Sequence, residues 1–167
     1  MKMSVKVIAV NAILAAVYAA LTVAVAPLSY GNLQFRFSEI LLFLAFYDIR
    51  FFPGLILGCL IANLFSPMVA FDVPFGTLAT VIACFGCLLA RKLIRKENAG
   101  LFAVPFVGAA ANGLLVGLAL YLAYELPYWI TVLEVAGGEF AVLLVGAFIF
   151  LGISKIKAIQ KILSWQI

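Results

Sequence analysis

The sequence predicts an all-α integral membrane protein, a six-transmembrane-helix bundle with both the N- and C-termini cytoplasmic. Composition is the first observation behind this. The 167 residues are 67% hydrophobic and 11% charged, with a mean hydropathy of +1.24, whereas a soluble domain is roughly half apolar and a quarter charged. The second is a series of apolar windows running from one end of the chain to the other. The third is the placement of the 11 Lys and Arg residues, which collect at alternate breaks between those windows, as the positive-inside bias requires.

Helices are expected near 4–27, 34–50, 53–66, 74–94, 101–124 and 129–153, all within one integral domain covering residues 1–167. The first starts near Val5, is too long for the apolar core of a signal peptide, and is ended by Pro27. The second and third are short, and charge decides how they are drawn. With six crossings, Lys2, Lys6, Arg50, Arg91, Lys92, Arg95, Lys96, Lys155, Lys157 and Lys161 all fall inside and Arg36 alone outside. A single crossing over residues 34–66 would move "RKLIRKEN" and the lysine-rich tail outside. A re-entrant hairpin would hold Asp48 and Arg50 at membrane depth, which is costly without partners. Two short tilted crossings are therefore expected. The fourth, fifth and sixth windows each exceed the length that crosses a hydrocarbon core of roughly 30 Å. The tail "SKIKAIQKILSW", Ser154 to Trp165, fits either an amphipathic helix along the inner leaflet, with Trp165 at the headgroups, or a continuation of the sixth helix.

Several function classes are excluded at this stage. The chain has no histidine, which removes the usual general base and metal ligand. Cys84 and Cys87 have redox-motif spacing but lie in an apolar segment, so they and Cys59 are expected to pack as small thiols between helices. No P-loop, HExxH or GxSxG motif occurs. The chain is not expected to be an enzyme, to bind a metal or a cofactor of its own, or to bind nucleic acid, because its positive residues are scattered among helix ends.

Five of the seven acids, Glu39, Asp72, Glu125, Glu134 and Glu139, fall toward the outer side in this topology, with Asp48 and Glu97 inside. An ionised carboxylate in hydrocarbon costs several kcal/mol unless it faces a cavity or a partner, so Glu139 is expected to face inward. Asn112 lies at a similar depth and Asn63 near the outer end of the third helix; Gly137 and Gly138 beside Glu139 would admit a ligand or a backbone. Together these outline an outward-facing polar pocket. The asparagines fit interhelical hydrogen bonds equally well, and the glycines helix packing. Arg36 and Glu39 also admit a local reading, with Ser38 as helix cap and Glu39 at the positive end of the helix dipole. In "NAILAAVYAALTVAVA", Ala12, Ala16 and Ala20 form one small-residue face and Ala15 and Ala19 another. Either face suits close helix packing, within the chain or against another membrane subunit.

The stretches "APLSYGNLQFRFSEILLF", "GLILGCLIANLF", "FDVPFGTLAT", "AANGLLVG" and "VAGGEFAVLLVGAF" resemble the QueT-type family, substrate-binding (S) components of energy-coupling factor (ECF) transporters implicated in uptake of queuosine precursors. The resemblance covers nearly the whole chain and rests most on the arginine and Ser-Glu pair of the first stretch. It implies a bacterial, multi-pass plasma-membrane subunit. Its partners would be an ECF transmembrane coupling subunit and two ATPase subunits, which would use the ATP and Mg. It further implies docking through Ala12, Ala16 and Ala20. The substrate it implies is a 7-deazaguanine, whose aminomethyl form carries an ammonium. Glu139 or Glu39 would take the guanine-like face, Asn112 or Asn63 the carbonyl edge, and Asp72 or Glu125 the ammonium. Phe35, Phe75 or Trp129 would stack on the ring, and Arg36 would orient Glu39 or close the first loop over the site. The alternatives are an S component for another vitamin or a small proton-coupled secondary transporter using Glu139.

Overall fold

A computed structural model describes residues 5–31, 33–94 and 96–163. The expectations placed on Lys2, Arg95 and Trp165 lie outside the described residues. All regular structure within them is helical. Helix α1 covers Val5–Ala24 and is followed by a single turn, Ala26–Ser29. Helix α2 is Phe37–Tyr47, α3 is Ile49–Asn63, α4 is Val69–Leu93, α5 is Glu97–Tyr124 and α6 is Tyr128–Ile153. A short α7, Lys157–Leu163, ends the described chain.

Four of these helices, α1, α4, α5 and α6, are long and apolar enough to cross a membrane. Helices α2 and α3 are shorter. The sequence predicted one helix over 34–50, but Gln34 has a positive φ of 46° and Arg36 is extended, so α2 starts only at Phe37. Its first six residues, Phe37–Leu42, wind as a 3₁₀ helix before Phe43–Tyr47 relax to α. At 2.0 and 1.5 Å of rise per residue these segments reach about 20 Å, short of the roughly 30 Å core.

The break between α2 and α3 falls at Asp48, whose extended backbone (φ −156°, ψ 135°) lets its carboxylate accept from the Arg50 N–H at 2.8 Å. Arg50 folds back to grip the same carboxylate with Nε at 3.0 Å and Nη2 at 2.8 Å. Asn11 of α1 completes the start of α3: its Oδ1 accepts from the Gly54 N–H at 2.7 Å and its Nδ2 donates to the Arg50 carbonyl at 2.9 Å. An amide from a neighbouring helix thus satisfies a helix-end donor that has no partner within its own helix.

Close backbone approach defines the two tightest helix pairs. Helix α1 lies on α3 where Gly58 meets Tyr18: a Cβ at Gly58 would sit 2.6 Å from the Tyr18 Cβ. Helices α5 and α6 run antiparallel, with Gly113 and Gly117 against Ala136 and Val132. Both pairs use the four-residue small-residue spacing that packs helices in lipid. Of the two alanine registers on α1, Ala15 is buried and Ala19 half-buried, while Ala12, Ala16 and Ala20 are exposed.

The tail does not continue α6. The chain turns after Ile153, and Leu163 of α7 is buried in the main core with Ile159 packed on it. Cys59, Cys84 and Cys87 are buried free thiols. Residues 47–50, 91–94, 96–97 and 154–161 gather at one end of the bundle, brought together by the Asn11–Arg50 and Tyr47–Glu97 bonds and a shared cavity. Arg50, Arg91, Lys157 and Lys161 make this the basic end. The loops after α1, α3 and α5 lie at the other.

Candidate functional site

The 3₁₀ winding of α2 has a chemical consequence. At three residues per turn, side chains three apart eclipse, so Arg36, Glu39 and Leu42 share one inward face, and all three are buried. None is served by a local cap: neither Ser38 nor the residue before α2 makes a side-chain capping bond. Ser38 instead pairs with Thr22 of α1 at 2.6 Å, Glu39 Oε1 accepts from the Tyr18 hydroxyl, and an Arg36 Nη2 proton goes to Asn63 Oδ1 on α3.

Asn63 carries the network onward. Its Nδ2 donates to the Asp72 carbonyl at 2.8 Å and to Cys59 Sγ at 3.4 Å. Asp72 opens a π-helical turn, Asp72–Gly76, at the start of α4, which contains Pro74. A π turn widens the spacing of main-chain bonds and is found mostly at functional places; here it leaves the Asp72 carbonyl turned to Asn63. The Asp72 carboxylate accepts from Ser66. Thr80, farther along α4, donates to Cys59 Sγ at 3.0 Å.

The network is incomplete in one direction. Arg36 Nε and Nη1, Gln34 Nε2, Glu39 Oε2, Asn112 Oδ1 and both carboxylate oxygens of Glu139 are buried without a hydrogen-bond partner. Buried polar groups are nearly always satisfied, and each one left bare costs about 1–3 kcal/mol, more if charged. Here they come from the first loop, α2, α5 and α6. Glu139 has no exposed surface and lies close enough to Glu39 and Arg36 to interact with both charges. Bare buried donors and acceptors of this kind make a candidate ligand site.

The first loop covers this cluster. Gly138, one residue before Glu139, is crossed by the Leu33 carbonyl so closely that any Cβ there would overlap it. The approach expected of the glycine pair therefore occurs at Gly138, and what approaches is the loop backbone. Gly137 is exposed and faces open space.

The predicted residues separate into two groups. Arg36, Glu39, Asn63, Asp72, Asn112 and Glu139 are all buried. Asn63 is interhelical as its alternative reading had it, whereas the Asn112 amide donates only to Gly108 of its own helix, at 3.3 Å. Glu125 is exposed at the end of α5, and Trp129 is 70% exposed and packs on Tyr128, so neither enters the buried cluster. Phe75 is half-buried within the π turn. Phe35 is half-buried and lines an apolar groove of about 210 Å³ with Phe37, Ile40 and Val142. Glu134 is half-buried on α6. The largest cavity described lies elsewhere, at the basic end.

Comparison with known proteins gives the family. A family model described as QueT transporter matches residues 8–155. The chain belongs to the QueT transporter family. It is also similar to a protein of Lactococcus lactis subsp. cremoris (strain MG1363) named queuosine precursor transporter QueT, with 36% identity over 151 residues, covering 83% of this chain and 86% of that one. No solved structure matches the chain. As a member of this transporter family, with several long apolar helices, it is a multi-pass membrane protein.

Gln34, Tyr18, Thr22, Ser66 and Thr80 of this buried network were not singled out from the sequence. For two of them a signal exists. Asn11, Leu14, Ala15, Tyr18 and Thr22 are the buried residues of α1, on the i, i+3, i+4, i+7 spacing of one helix face. Polar groups on the inner face of a membrane helix have to bond to something. Gln34 carries no such pattern, because its burial depends on a loop conformation.

Proposed function

We propose that this chain is the membrane-embedded substrate-binding subunit of an ECF-type importer and that it captures a queuosine precursor, a 7-deazaguanine in its 7-aminomethyl form. The observation carrying the reading is the set of bare buried groups around Arg36, Glu39 and Glu139. Their chemistry is complementary to such a base. The Glu139 carboxylate has two free acceptor oxygens, which match the ring N–H and exocyclic amine of a guanine-like edge. Arg36 Nε and Nη1 and Gln34 Nε2 are free donors; they suit its carbonyl better than Asn112, whose free atom is an acceptor. Glu39 Oε2 and Asp72 then meet the ammonium. Three carboxylates stand around one guanidinium, so a cationic ligand reduces the local excess of negative charge.

Transport follows from coupling to partners. The exposed face of Ala12, Ala16 and Ala20 permits close docking on an ECF transmembrane subunit, and two ATPase subunits hydrolyse ATP with Mg. The name of the Lactococcus relative supports the choice of substrate. The test is mass spectrometry of small molecules released from the purified chain. A 7-deazaguanine is expected; riboflavin, biotin or another vitamin would overturn the substrate.

A second reading has an observation of its own, since two buried carboxylates sharing one arginine also suit a proton-coupled carrier. Vesicles holding the chain alone distinguish the two. Accumulation on a pH gradient without ATPase partners would replace the importer reading, and dependence on ATP and partner subunits is the expected result.

A further inference from the structure

The basic end holds a cavity of about 640 Å³ that the substrate site does not use. Four helices contribute to it: Tyr47 ends α2, Arg91 lies in the last turn of α4, Glu97 starts α5, and Lys157 and Lys161 stand one turn apart on α7. Ser154, in the turn after α6, and Gln160 of α7 complete the polar lining. Its volume is that of a ligand site.

The cavity is held in shape from several directions. Burial of Leu163 and packing of Ile159 pin the apolar face of α7 to the core, so the two lysines, four residues apart, share the face toward the opening. The Arg91 guanidinium lies 5.3 Å from the centre of the Phe46 ring, a contact that orients it without neutralising it. Glu97, the one acid of the lining among the described residues, accepts from the Tyr47 hydroxyl at 2.9 Å. Among the described residues, the lining thus brings Arg91, Lys157 and Lys161 together with Glu97.

We propose that this cavity binds a phosphate-ester anion, the headgroup of an anionic phospholipid. Arg91 supplies a planar donor fork and Lys157 and Lys161 supply point charges, the pairing that recognises phosphate. A phospholipid is favoured over a soluble phosphate by position. The amphipathic α7 lies across the end of an apolar bundle, with Ile162 in a groove beside Ile13 and Val17 of α1, so the cavity opens where apolar and charged surfaces meet. Basic pockets between helices at this level suit anionic headgroups. The site is separate from the Glu139 cluster, and the proposal stands whatever the substrate proves to be.

The experiment is native mass spectrometry of the full chain released from nanodiscs of equimolar phosphatidylglycerol and phosphatidylcholine. Phosphatidylglycerol is expected to be retained selectively. Each cation removed is expected to cost about fivefold, so Lys157→Gln with Lys161→Gln gives a large loss and Arg91→Gln a smaller one. Lys92→Gln and Lys155→Gln, exposed and outside the lining, are expected to retain the lipid. Glu97→Gln keeps an acceptor for Tyr47 while removing the opposing charge, and is expected to raise retention. Equal losses from lining and control lysines would show general electrostatic attraction and overturn the site. Binding of inorganic phosphate in detergent with no selectivity between the two lipids would overturn the lipid assignment.

Discussion

Glu139 is the residue whose environment is hardest to explain without a ligand. It has no exposed surface, no partner for either oxygen, and a backbone crossing one position before it. Substituting Glu139→Gln keeps the shape and removes the charge, so one acceptor oxygen becomes a donor. A charge-assisted bond is worth about 1.5–3 kcal/mol, and calorimetry with the aminomethyl base should show binding weakened by about 10- to 150-fold. Unchanged affinity would remove Glu139 from the site. The depth and charge of this residue made it legible in the sequence, since a lone acid within an apolar helix needs an inward reason. The partners of Glu39 and Arg36 were not legible in the same way. Their spacing of three fits a local helix-start pair, and only the 3₁₀ winding of Phe37–Leu42 turns both side chains inward to Tyr18 and Asn63.

At the scale of elements, the long helices follow from composition, and α5 and α6 were read to within a few residues. The larger errors fall on the start of α4, expected near 74 and found at Val69, and on the short pair, where dihedral angles at Gln34 and Asp48 decide the boundaries and apolar content is uniform on both sides. Two predictions belong here. Gly138→Ala places a methyl on the Leu33 carbonyl; the overpacking should cost about 1–3 kcal/mol, loosen residues 33–36 in hydrogen exchange and weaken substrate binding. Unaltered exchange in that loop would contradict the close crossing. The second concerns the junction of α2 and α3. Burial raises the Asp48 carboxyl, but the Arg50 hydrogen bonds and charge outweigh it and hold it below its ordinary 3.8. A carboxyl whose folded value is depressed stabilises the fold above its unfolded value and loses that contribution as pH falls through the folded one. Asp48→Asn should therefore lower thermal stability at neutral pH, and the gap to the unsubstituted protein should close below about pH 4. A gap independent of pH would assign the effect to shape alone.

For the molecule as a whole, the sequence left two alanine registers on α1, and packing separates them: Ala15 and Tyr18 meet α3, and Ala12, Ala16 and Ala20 stay outside. On the proposed importer reading, Ala16→Trp should then leave folding and substrate binding intact while abolishing ATP-dependent uptake with the partner subunits. Loss of binding by the isolated chain would contradict an outward-facing role. One consequence concerns time. On the proposed reading the bare groups lie beneath their own first loop, so capture waits for residues 33–36 to lift. In rapid mixing, the observed rate of capture should climb with base concentration and then level off at a ceiling set by the protein, and release should be governed by the same lifting step. A Gly138→Ala chain, with its roof displaced, should show a higher ceiling and a shorter residence.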